Sequence, residues 1–157
     1  MHPVIVAGLV AGGLDILAAF ALSAYYGGTP DRVLRGIASG VLGPQAQQGG
    51  AATAALGLGL HFVIATGAAA TYFVAAKRIP MLVRHAVTCG IAYGVAVYLF
   101  MYFVVLPLSR VTQRPPRLSS IVTMIVIHML CVGLPIALVI RRGVAAETRK
   151  GRGVARV

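Results

Sequence analysis

Long apolar runs alternate with short polar segments along the chain. Four of these runs are long enough to cross a bilayer as a helix, which takes roughly 20 apolar residues. They occupy residues 4–26, 52–76, 82–106 and 120–140. The pattern therefore predicts an all-α fold, a polytopic membrane protein built on a bundle of four transmembrane helices.

A shorter helix is predicted at residues 30–42, between the first two spans. Thr29 can cap it, Pro30 suits the first helical position, and Asp31 places an acid in the first turn. At 1.5 Å per residue its 13 residues reach only about 20 Å, too short to span. Its apolar residues share one side: Val33, Leu34, Ile37 and Val41. This amphipathic pattern predicts a helix that lies at the membrane interface, or a re-entrant helix packed on the bundle. Residues 1–142 are therefore interpreted as one domain, and the basic segment 143–157 as a disordered cytoplasmic tail.

Composition supports a membrane protein rather than a soluble one. Hydrophobic residues make up 59% of the chain and charged residues 11%, against about 25% charged in an average soluble domain. The net charge of +11 comes from basic residues that flank the spans, where they meet anionic lipid headgroups. We therefore predict the lipid bilayer as a partner, and no nucleic acid.

The distribution of basic residues predicts the orientation. Of the 14 Lys and Arg residues, nine lie on the side of both termini and five on the other. The positive-inside rule then places both termini in the cytoplasm. The tail beyond Arg142 decides this count, because without it the two sides are equal.

A carboxylate lies near the middle of the first span, within a stripe of small residues. Gly8, Gly12 and other small residues lie at helical spacing from Asp15. Exposure of a carboxylate to lipid carries a large free-energy cost. This face is therefore predicted to point into protein. Small residues allow close helix approach, and they mark five packing glycines: Gly8, Gly12, Gly57, Gly90 and Gly94. The two GxxxG spacings among them also predict a homo-oligomer.

Three ionisable residues fall at similar depth in different spans. Asp15 lies about 11 residues from the outer end of its helix, His61 nine and His128 eight, which differ by less than one turn. Such a cluster can relay protons, bind a cation or hold a small polar solute, and Tyr72 lies on the His61 stripe. The competing interpretation is a structural or accessory membrane protein, in which these residues only hold helices together, at roughly 0.6 kcal/mol per polar contact.

Metal and enzyme chemistry have weaker support. Met124, His128 and Cys131 share a helix face and are soft enough for copper, and His61 with His128 could serve as axial haem ligands. No specific copper or haem motif accompanies them, so no cofactor is predicted. His85 and Cys89 are four residues apart, but no catalytic motif is present, and the chain is predicted not to be an enzyme. Pro135 is predicted to kink the last span.

Several segments resemble one family of small membrane proteins. They are GGLDILAAF, PDRVLRGIASGVLG, GGAATAALGLGLHFVIAT, YGVAVYLFMYFVVLPLS and HMLCVGLPIAL. Together they are similar to small uncharacterised bacterial inner-membrane proteins of the YagU type. The resemblance extends over most of the chain up to Arg142. It implies a bacterial inner-membrane location and no established activity, and it carries no catalytic residue to this chain.

Overall fold

The structure, a computed structural model, describes residues 2–112 and 117–154, with side chains described up to residue 146. These residues form helices and no strand. The helices are α1 (Pro3–Tyr25), α2 (Pro30–Leu42), α3 (Ala51–Arg78), α4 (Pro80–Arg84), α5 (Ala86–Leu108) and α6 (118–154). The predicted all-α fold is confirmed.

Four of the helices are long and apolar enough to cross a membrane. They are α1, α3, α5 and the Leu118–Ala146 part of α6. The chain is therefore a multi-pass membrane protein. The predicted spans match these helices to within a few residues at most ends, and the predicted bounds of α2 match the observed ones.

Two predicted boundaries differ from the structure. The third span was predicted from residue 82, but the backbone breaks at His85 and α5 begins at Ala86, because Pro80 starts a separate one-turn helix. The last helix was predicted to end near residue 142, and the structure continues it to Val154. Its continuation, VAAETRK, consists mainly of good helix formers. The predicted tail is thus helical to residue 154, and residues 155–157 lie outside the described part.

Both α5 and α6 contain a π-helical segment. These segments are Met101–Val105 and His128–Gly133, and each ends two residues before a proline, Pro107 or Pro135. A proline cannot donate to the carbonyl four residues back, and its ring crowds that carbonyl. A locally wider helix relieves this crowding. In α6 the π segment lies beside Pro135, the residue at which a kink was predicted.

Glycines allow a very close contact between α5 and α6. An added Cβ at Gly90 would lie 2.8 Å from the Ala137 Cβ, and one at Gly94 would lie 2.6 Å from the Met129 Cα. At Gly133 an added Cβ would overlap the backbone of both Gly90 and Gly94. These two helices therefore meet backbone to backbone, which only glycine permits.

The other predicted packing glycines also lie against neighbouring helices. A Cβ at Gly8 would lie 2.6 Å from the Thr66 Oγ1 of α3, and one at Gly12 would lie 2.8 Å from the Phe62 Cδ1. A Cβ at Gly57 would overlap a carbonyl of α2. Helix α1 thus packs against α3 on one side and α6 on the other, while α2 packs on α3.

Arg35 fixes α2 to the segment that leads into α3. Its Nη1 donates to the Gly49 carbonyl at 2.9 Å, and its Nη2 pairs with the Asp31 carboxylate. The Thr29 hydroxyl, and then the Arg35 guanidinium, hold the pKa of Asp31 below its ordinary value. The ion pair between Asp31 and Arg35 is therefore fully present above the ordinary pKa of Asp31, and it is lost as the pH falls through the lowered pKa of this carboxyl group.

We predict that Arg35→Ala loosens the 44–50 segment. The variant loses the hydrogen bond to the Gly49 carbonyl, worth on the order of 1.5–3 kcal/mol for a charged donor. Limited proteolysis with subtilisin should cut this segment several-fold faster than in the wild type. Arg32→Ala is the matched control, because Arg32 is exposed on the same helix. Equal cleavage of both variants would contradict the assigned role of Arg35.

Candidate functional site

A cavity of about 290 Å³ lies among the helices, and every long helix contributes to its wall. Helix α2 covers part of it with Val33 and Ile37. Most of the lining is apolar, and five side chains bring polar or titratable atoms: Asp15, His61, Tyr98, Tyr102 and His128. We call this space the Asp15 cavity. It brings together Asp15, His61 and His128, the three ionisable residues that were predicted to lie at similar depth in the membrane.

Asp15 contributes a carboxylate without a partner to the cavity. The small residues around it, Gly12 and Ala19, leave room on this face of α1, and both line the cavity. Within the described residues, the carboxylate makes neither a hydrogen bond nor an ion pair. Its oxygens are also not fully buried. In the described part of the chain, the one fully buried side-chain N or O atom that lacks a hydrogen-bond partner is Arg35 Nε.

His61 is held by the backbone of the neighbouring helix. Its Nε2 lies 2.8 Å from the Gly12 carbonyl oxygen of α1. Because a carbonyl can only accept, Nε2 carries the proton and donates it. In the neutral imidazole, Nδ1 is then an acceptor, and it has no hydrogen-bond partner in the described residues. The Phe62 ring and this imidazole form a T-shaped pair, with ring centroids 5.5 Å apart.

His128 is buried at the start of the π segment in α6. Its Nδ1 lies 2.8 Å from the Met124 carbonyl, so this nitrogen donates and Nε2 is left as the acceptor. The Tyr98 ring meets the imidazole edge to face, with centroids 5.5 Å apart. Both histidines thus have their N–H occupied by backbone and retain one free acceptor nitrogen each.

Tyr98 and Tyr102 are site residues that the sequence reasoning did not assign to the cavity. They lie towards the end of the third span, where aromatic side chains typically occupy the membrane interface. In the structure they stack on one another, with centroids 6.1 Å apart, and both line the cavity. Their spacing of four residues on the Gly90–Gly94 side of α5 was the signal that could have placed them there.

Most of the other candidate residues lie outside the cavity. Tyr72 is buried near the carboxyl end of α3, donates to the Leu82 carbonyl at 3.1 Å and contacts Tyr93; it does not line the cavity. Met124 lines the cavity, whereas Cys131 does not. Across the described ranges no group of three His, Cys, Asp or Glu residues is arranged to hold a metal ion. Cys89 lies near the break between α4 and α5, where its thiol contacts the Met81 carbonyl.

Comparisons with family models, with curated protein sequences and with solved structures give no match for this chain. The geometry of the cavity is therefore the basis for a functional proposal. It combines one unpaired carboxylate, two imidazole acceptors and two phenols within apolar walls.

Proposed function

We propose that this membrane protein binds a small solute in the Asp15 cavity and carries it across the bilayer. The observation behind the proposal is the Asp15 carboxylate, which lines the Asp15 cavity without a partner among the described residues. We further propose a bacterial inner-membrane location with both termini in the cytoplasm, on the basis of the basic flanks and the resemblance to YagU-type proteins.

The missing partner favours solute binding over a purely structural role. A carboxylate that only holds helices together needs a hydrogen-bond or ion-pair partner, since an unpaired charge inside a membrane protein carries a large free-energy cost. Asp15 instead keeps its oxygens accessible, while both histidines already satisfy one nitrogen each through backbone contacts. A bound cation or proton would complete the missing interaction.

The two π segments support a carrier rather than a static receptor. Met101, Tyr102, His128 and Val132 line the cavity and belong to these segments. A π segment is less regular than the helix around it, helices often kink at such segments, and they are frequent at functional sites. We propose that α5 and α6 bend there to open the cavity to one side of the membrane at a time.

Cysteine accessibility tests whether water reaches the cavity. In a background with Cys89→Ala and Cys131→Ala, Ala19→Cys places a thiol on the cavity wall without changing Asp15. Leu17→Cys, on the same helix, is the control, because Leu17 is 62% exposed on the outer, lipid-facing surface. A membrane-impermeant methanethiosulfonate reagent should label Ala19→Cys in proteoliposomes and leave Leu17→Cys unlabelled. Absence of labelling at Ala19→Cys would contradict a water-connected site.

A further inference from the structure

We infer that the ligand of the Asp15 cavity is a primary ammonium ion with a small apolar body. This inference rests on the proposed function and names its substrate class. It follows from which hydrogen-bonding atoms the cavity leaves free, and from the apolar character of its walls.

The free polar atoms of the cavity are mostly acceptors. The Asp15 carboxylate can accept several hydrogen bonds, and each histidine has one acceptor nitrogen because its N–H is bound to a backbone carbonyl. A primary ammonium is the complementary group, since it carries a positive charge and three N–H donors. Charge-assisted hydrogen bonds of this kind are the strong ones.

An anion would find no comparable partner. No Lys or Arg is among the residues that line the cavity in the described part of the chain. The tyrosine hydroxyls can donate as well as accept, so Tyr98 and Tyr102 do not distinguish the two signs of charge. The Asp15 carboxylate would repel an anion within the same small space. The cavity therefore selects positive charge.

The walls favour an organic cation over a bare metal ion. Hard cations such as Ca²⁺ take about six to eight oxygen ligands, and Asp15 is the one carboxylate that lines the described cavity. Apolar side chains line the same cavity, among them Ile16, Ile37, Ile64 and Val97. The volume of about 290 Å³ is close to the lower end of small-molecule pockets, roughly 300 Å³. An apolar body of phenylethyl size, next to the ammonium, fits within such a space.

Equilibrium binding to the full chain in detergent tests this assignment. The probe is 2-phenylethylammonium, titrated by calorimetry at neutral pH. Three comparison compounds share its phenyl body: 2-phenylethanol is neutral, 3-phenylpropanoate is an anion, and benzyltrimethylammonium is a cation without N–H donors. Asp15→Asn removes the charge that the proposal requires, and Asp31→Asn removes an acid outside the cavity.

We expect 2-phenylethylammonium to bind at least about tenfold more tightly than the other three compounds, as one charged hydrogen bond implies. Asp15→Asn should remove this preference, and Asp31→Asn should keep it. Equal affinities, tighter binding of the anion, or a preference that survives Asp15→Asn would overturn the inference. If none of the compounds binds, the inference also fails. Labelling of Ala19→Cys would in that case leave the proposed water-connected site standing. If Ala19→Cys is not labelled either, both proposals fail.

Discussion

Gly133→Ala is expected to separate α5 from α6 and to destabilise the protein by about 3 kcal/mol or more. A Cβ at Gly133 would overlap the Gly90 carbonyl and the Gly94 backbone, and neither can turn away as a flexible side chain would. Overpacking typically costs 1–3 kcal/mol where side chains can adjust, so backbone contact belongs at or above the upper end of that range. The contact lies next to the Asp15 cavity, because Val132, which precedes Gly133 in the π segment, lines that cavity.

Thermal unfolding in one detergent, followed by circular dichroism, measures this effect. Gly67→Ala is the matched control, because a Cβ there meets nothing within 4 Å. An alanine in an open helical position is expected to leave stability unchanged or to raise it by up to about 1 kcal/mol. Unfolding temperatures that agree between Gly133→Ala and Gly67→Ala would contradict the close approach of α5 and α6.

Asp15→Asn is expected to abolish the preference for an ammonium ligand while leaving the fold intact. The substitution removes the charge on which recognition depends, which corresponds to at least about a tenfold loss of affinity. The free energy of unfolding should stay the same or rise, because Asp15 has no partner to lose within the described residues and an unpaired charge is costly to bury.

Parallel stability and binding measurements on this variant separate the two interpretations of Asp15. Loss of one member of a buried ion pair typically destabilises a protein by about 3–5 kcal/mol. A loss of stability in Asp15→Asn would identify the carboxylate as a structural contact, whether it is roughly 0.6 kcal/mol, as for one polar contact in a membrane, or as large as for a broken buried ion pair. Asp31→Asn is the control for the removal of any acid, because Asp31 pairs with Arg35 on α2 outside the cavity.

The fold was largely predictable because membrane helices follow simple rules of length and punctuation. Apolar runs of more than 20 residues predicted the spans, and Pro30 at the first helical position with Asp31 in the first turn marked the start of α2, although the Thr29 side chain makes no capping hydrogen bond there. The meeting of Asp15, His61 and His128 in one cavity follows from counting residues from the same end of each helix. Such counting works when helices cross the bilayer at similar tilts.

Other features depend on three-dimensional packing that a single sequence does not reveal. Pro107 and Pro135 indicate that a hydrogen bond is lost, but not that a π segment absorbs the change. The carbonyl that each histidine contacts decides which ring nitrogen remains an acceptor, and in His61 that carbonyl belongs to another helix. Tyr72 and Tyr98 look equally suitable by spacing, and packing alone turns Tyr98 towards the cavity and Tyr72 towards Leu82.

The most direct test of the account is the protonation of Asp15 in a lipid bilayer. Infrared spectra of the wild type minus those of Asp15→Asn isolate the signal of this carboxyl group from Asp31 and Glu147. The account predicts a carboxylic acid band that appears as the pH is lowered and that shifts when the sample is transferred to heavy water, as expected for a group in contact with water. A band that neither titrates nor exchanges would contradict the account, because Asp15 would then be sealed within a structural contact.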